Sequence, residues 1–132
     1  MTMKCINPND LPEPEAFSHV VVATAGKIAF IAGQVSEDEN GDVIGIGDMT
    51  AQAKQAFANL GRALAAAGAR PDQVAKLGIF VADYKREHLA MIEAGRKSLF
   101  GDFKPADTLV GVARLSRPEY MLEFDAIAVM DE

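Results

Sequence analysis

Residues 103–115 read Phe103-Lys104-Pro105-Ala106-Asp107-Thr108-Leu109-Val110-Gly111-Val112-Ala113-Arg114-Leu115, a proline-led entry into an apolar strand. Proline cannot donate to a sheet ladder, so Pro105 launches the strand, and β-branched Thr108, Val110 and Val112 favour extended backbone after it. Asp107 stands at the mouth of that strand. A carboxylate belongs there only if it faces water, a partner or a site, because an unpaired charge loses its hydration on burial.

Outward from this strand the chain alternates between the two periodicities of regular structure. After it come a Ser116-Arg117-Pro118 turn and a last strand, Met121 to Met130, with Leu122, Phe124, Ala126 and Ala128 on one face and Glu123, Asp125, Ile127 and Val129 on the other. These two strands are expected to close the chain as a hairpin. Before them a helix runs from about Arg86 to Phe100, with Leu89, Ile92, Leu99 and Phe100 as its apolar stripe. Glu93 and Arg96 fall inside the stripe, either as an i,i+3 ion pair at the margin of the core or with Arg96 in a cleft.

Further back, Val74 to Ala82 alternates as a strand, with Ala75, Leu77, Ile79 and Val81 pointing one way and Lys76, Gly78 and Phe80 the other. A first helix starts at Asp48 or Thr50, carries Ala53, Phe57, Leu60, Leu64 and Ala67 at helical spacing, and stops at Gly68. Asn40-Gly41 marks a turn in an acidic loop. Ser18–Thr24 and Lys27–Gly33 read as a β-hairpin turning at Gly26, and Pro8, Pro12 and Pro14 make residues 1–16 an irregular lead-in. The expected architecture is one α+β domain over residues 1–132, with two helices on one side of a mixed sheet of five or six strands.

Composition narrows the function. The net charge of −6 argues against a phosphate-backbone binder, so no nucleic-acid role is expected. His19 and His88 belong to no ligand-spaced pattern, so no metal is expected. No segment has the apolar length of a membrane span, and residues 1–5 do not read as a secretion signal, so a cytoplasmic protein without membrane contact is expected. Cys5 is the only cysteine and reads as an incidental thiol. Helices covering one sheet face cannot also cover all of Phe80, Ile31 or Phe30, Val110 or Leu109, and Ile127 or Phe124, and the apolar surface left on the other face predicts self-association.

As an ordered set, Ile31-Ala32-Gly33-Gln34-Val35, Gln52 to Leu60, Val74 to Asp83, Pro105-Ala106 with Val110 to Leu115, and Glu123 to Val129 resemble the Rid proteins, also called the YjgF/YER057c/UK114 family. The likeness runs from about Phe17 to Val129. It implies a chorismate-mutase-like α+β fold and a homotrimer with a central barrel, holding small metabolites in clefts between subunits. It also implies hydrolysis of reactive imines and enamines to a keto acid and ammonia, with no cofactor. In such proteins an arginine directly after the Pro-Ala pair grips the substrate carboxylate, the bidentate fit that a guanidinium supplies.

Here that position is Asp107, which would repel a carboxylate instead of holding it. The resemblance implies that Gly33 and Leu109 offer backbone groups to the cleft and that Phe17 forms an aromatic wall. Asp125 matches a water-orienting glutamate, one methylene shorter, while Glu93 and Arg96 fall where the resemblance implies a helix asparagine and a nearby tyrosine. Were Asp107 and Asp125 to meet, repulsion would raise one pKa and make a proton-sharing pair. Asp107 could equally face solvent or a neighbouring subunit, and Arg96 could supply a relocated guanidinium. Two functions remain: a hydrolase with altered substrate choice, or a trimeric module that binds a small ligand or partner without turnover.

Overall fold

The computed structural model describes residues 3–24 and 26–131. Its elements are β1 (Met3–Ile6), β2 (Val20–Ala23), β3 (Lys27–Gln34), α1 (Met49–Ala67), a 3-10 turn (Pro71–Gln73), β4 (Val74–Ala82), α2 (His88–Phe100), β5 (Ala106–Val112) and β6 (Leu122–Met130). α1 begins where its sequence says it must: the Asp48 carboxylate accepts a hydrogen bond from the Ala51 N–H at 3.1 Å, satisfying one of the orphan donors of the first turn. It ends at Gly68, whose φ of 80° lets its N–H reach back to the Ala65 carbonyl. Asp48→Ala is expected to cost about 1 kcal/mol of unfolding free energy in urea denaturation, the usual worth of such a cap.

The main sheet has four strands in the order β3-β6-β4-β5, with β4 and β5 parallel and the other pairs antiparallel. Both helices pack on one face of it. Phe57 of α1 stacks on Phe124 of β6 with ring centroids 3.8 Å apart, and Phe100 of α2 meets Phe57 edge-on at 6.0 Å. Leu60, Leu64, Leu77, Val81 and Leu122 complete the fully buried layer. The α+β layering with two helices on a mixed sheet is thus as the periodicity predicts, but the two expected hairpins are not.

The closing hairpin does not form, because β5 pairs with β4 and β6 pairs with β4 and β3, so β4 separates the two C-terminal strands. A parallel pair needs a crossover, and α2 supplies one between β4 and β5. The N-terminal hairpin does not form either: β2 pairs with β1, while β3 joins the main sheet against β6. Residues 3–6 are correspondingly a strand and not part of an irregular segment, since they precede Pro8 and keep every ladder donor. Finally, Leu89 is 44% exposed and lies outside the apolar stripe of α2, whose buried side is Ile92, Gly95, Arg96 and Phe100.

The uncovered sheet face is apolar, as its alternation predicts. Phe30 and Ile28 of β3 are 76% and 57% exposed, and Val110 of β5 is exposed at the opposite edge of the sheet. Among the described residues no helix is long and apolar enough to cross a membrane.

Candidate functional site

Ser18 fixes the site by tying the N-terminal segment to the start of β5. Its N–H donates to the Pro105 carbonyl at 3.0 Å, its hydroxyl donates to the Lys104 carbonyl at 2.5 Å, and it forms a parallel bridge with Ala106. The segment is held from behind by the His19 N–H donating to the Asn7 side chain at 2.8 Å. The ring of Phe17 meets the His19 ring edge-on at 5.3 Å. Proline-stiffened residues 12–17 therefore arch over α2 and β5, enclosing a cleft of about 720 Å³.

Five of the residues singled out in the sequence line this one cleft: Phe17, Glu93, Arg96, Asp107 and Leu109. Strand alternation explains the last two, because Asp107 and Leu109 share the helix-facing side of β5 with their β4 partners Leu77 and Ile79. Arg96 is buried, and both readings of its place in α2 hold together. Its Nε and Nη2 grip the two oxygens of Glu93 at 2.8 and 2.5 Å, and its Nη1 donates to the Phe103 carbonyl at 3.3 Å. This fork is a bidentate arginine–carboxylate pair within one helical turn.

Asp107 has no such partner. Burial of its carboxyl pushes the pKa up to about 6; Arg96 and then Lys76 pull it down, and Glu93 pushes it further up. Desolvation wins because the Arg96 charge is spent on Glu93.

Gly33 and Asp125 lie elsewhere. Asp125 pairs with Gly78 and stands on the open face of the sheet, where a Cβ on Gly78 would fall 2.1 Å from its Oδ1. Asp107 and Asp125 thus sit on opposite faces of the sheet, with β4 between their strands, and do not form a proton-sharing pair within one chain. Gly33 lies at an irregularity between Ile31 and Gln34, and a Cβ there would overlap the Glu123 carboxylate at 1.8 Å. The β6 carboxylate lying against Gly33 is therefore Glu123, a residue the sequence reading left on a strand face without a role. Its pairing with Phe80 across β4 puts it on the same open face as Asp125, a parity that the sequence did contain.

Arg86 and the Pro12–Ala16 wall were likewise missed as cleft-lining residues. Nothing in their spacing connects them to β5; the Ser18 bridge brings the Pro12–Ala16 wall there, and Arg86 comes with the start of α2. Among the described residues, no cluster of three or more His, Cys, Asp or Glu side chains is arranged to hold a metal ion.

Residues 9–130 match the family described as Endoribonuclease L-PSP. The chain is 33% identical to a RutC family protein of Synechocystis sp. over 98% of both sequences. It is 28% identical to the 3-aminoacrylate deaminase RutC of Acinetobacter baylyi over 97% of this chain and 98% of that one. In structure it superposes with a TM-score of 0.92 on YyfB, a protein of unknown function of the conserved Rid family from Yersinia pestis. That match has 35% identity and covers 98% of this chain and all of the other.

Proposed function

Because this chain belongs to the Endoribonuclease L-PSP family, which includes the Rid and RutC proteins, we propose that it is a cofactor-free hydrolase of small imine- or enamine-like metabolites with a substrate choice set by Asp107. The observation that carries this reading is the convergence of Phe17, Glu93, Arg96, Asp107 and Leu109 on one cleft. Water adds across the C=N bond, and the C–N bond of the resulting carbinolamine breaks to give a carbonyl compound and ammonia. Overall, the water oxygen becomes the carbonyl oxygen, both of its protons pass to the nitrogen, which departs as ammonia, and nothing is oxidised or reduced. A carboxyl group with a pKa near 6 changes protonation state close to neutral pH, as general acid–base work requires.

Asp125 orients the water in this scheme, with Glu123 beside Gly33 as a second carboxylate for that role. Both stand on the open sheet face, so a neighbouring copy must bring them to the cleft. A homotrimer with its sheets packed into a central barrel would do so, and the exposed Phe30, Ile28 and Val110 support that packing. Static light scattering at micromolar concentration is expected to give three times the chain mass; the mass of one chain would sink the arrangement.

Turnover is tested by generating imines in situ, with and without a carboxylate, and following ammonia release. Acceleration should fall at least tenfold in Asp125→Ala. The capture of Arg96 by Glu93 favours a second reading, a binding module without turnover, because the cleft's buried guanidinium is already occupied. No acceleration for any imine, together with a co-purified small molecule in native mass spectrometry, would select it.

A further inference from the structure

Two features of the cleft are independent of any reaction. The first is that the Asp107 carboxylate faces it without a side-chain hydrogen bond or ion pair among the described residues. The cation of the buried side of α2, Arg96, is directed at Glu93 and the Phe103 carbonyl through all three of its nitrogens. Lys76 donates its Nζ to the Thr108 hydroxyl at 2.6 Å, on the other side of the strand from Asp107. A half-buried carboxylate left unpaired is costly, and a donor brought by a ligand removes that cost.

The second feature is the identity of the group in the Arg96 fork. Glu93 puts a carboxylate where a carboxylate ligand would dock, so the chain carries its own occupant. Beside these charges Phe17, Ile79, Leu89, Ile92 and Leu109 supply the apolar part of the wall. A carboxylate entering here would meet four acids of the lining, Asp107, Glu93, Glu13 and Glu15, and find the Arg96 guanidinium taken, with Arg86 just before α2 as the other guanidinium of the wall.

We propose that the cleft selects a small apolar ligand bearing a positively charged nitrogen, an ammonium, amidinium or iminium group held by Asp107, and that Glu93 is the specificity residue that denies carboxylates by occupying Arg96. This rests on the reading of the cleft as the ligand site and names its ligand class.

The test is an amide NMR titration of the full chain with a matched probe pair, benzylamine and benzoate. Benzylamine should shift the amides of residues 92–97 and 106–109, with its Kd rising at least tenfold in Asp107→Asn. Benzoate should leave the wild-type cleft unshifted and bind at least tenfold more tightly to Glu93→Gln, in which Arg96 is released. Benzoate binding the wild type as well as benzylamine does, or benzylamine indifferent to Asp107→Asn, overturns the proposed ligand class while leaving the cleft as a site. Silence of the cleft amides towards both probes overturns the cleft reading itself.

Discussion

Arg96→Ala should destabilise the fold by about 3 kcal/mol, an effect of the size expected for truncating a side chain of the hydrophobic core. Three interactions end at once: the two bonds to Glu93 and the bond to the Phe103 carbonyl. The greater loss is electrostatic. Truncating one member of a buried pair leaves the other charge uncompensated, which costs about 3–5 kcal/mol when that charge is fully enclosed. The Glu93 side chain keeps 34% of its exposure, so water recovers part of its solvation and the lower end applies.

Asp107 adds to the effect, since Arg96 is the strongest influence lowering its pKa. Urea denaturation at pH 7 checks the value. In Glu93→Ala/Arg96→Ala the two costs should fall well short of additive, because the second change removes the charge stranded by the first. A single-variant loss under about 1 kcal/mol would mean that the fork is no more than a surface ion pair.

The layers of this fold were legible in the sequence because they rest on local signals. Asp48 and Gly68 bracket α1, Phe57 and Leu60 mark its buried side, and Leu77, Ile79 and Val81 alternate along β4. Pairing was not legible, for it depends on which edge each strand finds. Residues 20–23 and 27–34 are separated by a turn signal at Gly26, yet β1 takes the edge of β2 and β6 takes that of β3. Likewise the Ser116-Arg117-Pro118 turn links two strands that never pair.

The candidate site divides in the same way. Strand parity places Asp107 with Leu109, and helical spacing places Glu93 with Arg96, but their meeting requires α2 to cross over onto β5. The Pro12–Ala16 wall depends on the Ser18 bridge to Ala106, a contact across 88 positions that no periodicity encodes. Glu123 was overlooked for a different reason. Its importance comes from the absence of a Cβ at Gly33, so only the paired strands reveal that the carboxylate fills that space.

Asp107 should also write itself into the pH dependence of stability. Its folded pKa, about 6, lies above that of an exposed aspartate, so the native state holds a proton that the unfolded chain has already released. Stability from this group is then complete below about pH 4 and is lost as the pH rises through 6; the slope is negative because the unfolded state binds fewer protons. The charged groups that set the midpoint are Arg96 and Glu93 from α2 and Lys76 from β4, with Glu13, Glu15 and His19 of the N-terminal wall and Arg86 beside α2 also lining the cleft. Full conversion at about 1.4 kcal/mol per pH unit would give about 3 kcal/mol, and the water still reaching the carboxyl reduces this to about 1–2 kcal/mol. Asp107→Asn keeps the shape and cannot ionise. It should therefore unfold at higher urea than the wild type at pH 8 and lose that advantage at pH 4, where the wild-type carboxyl is protonated. A difference that stays constant from pH 4 to pH 8 would mean that Asp107 titrates as an exposed residue, and the cleft would then lack the desolvated carboxyl on which the proposed acid–base chemistry depends.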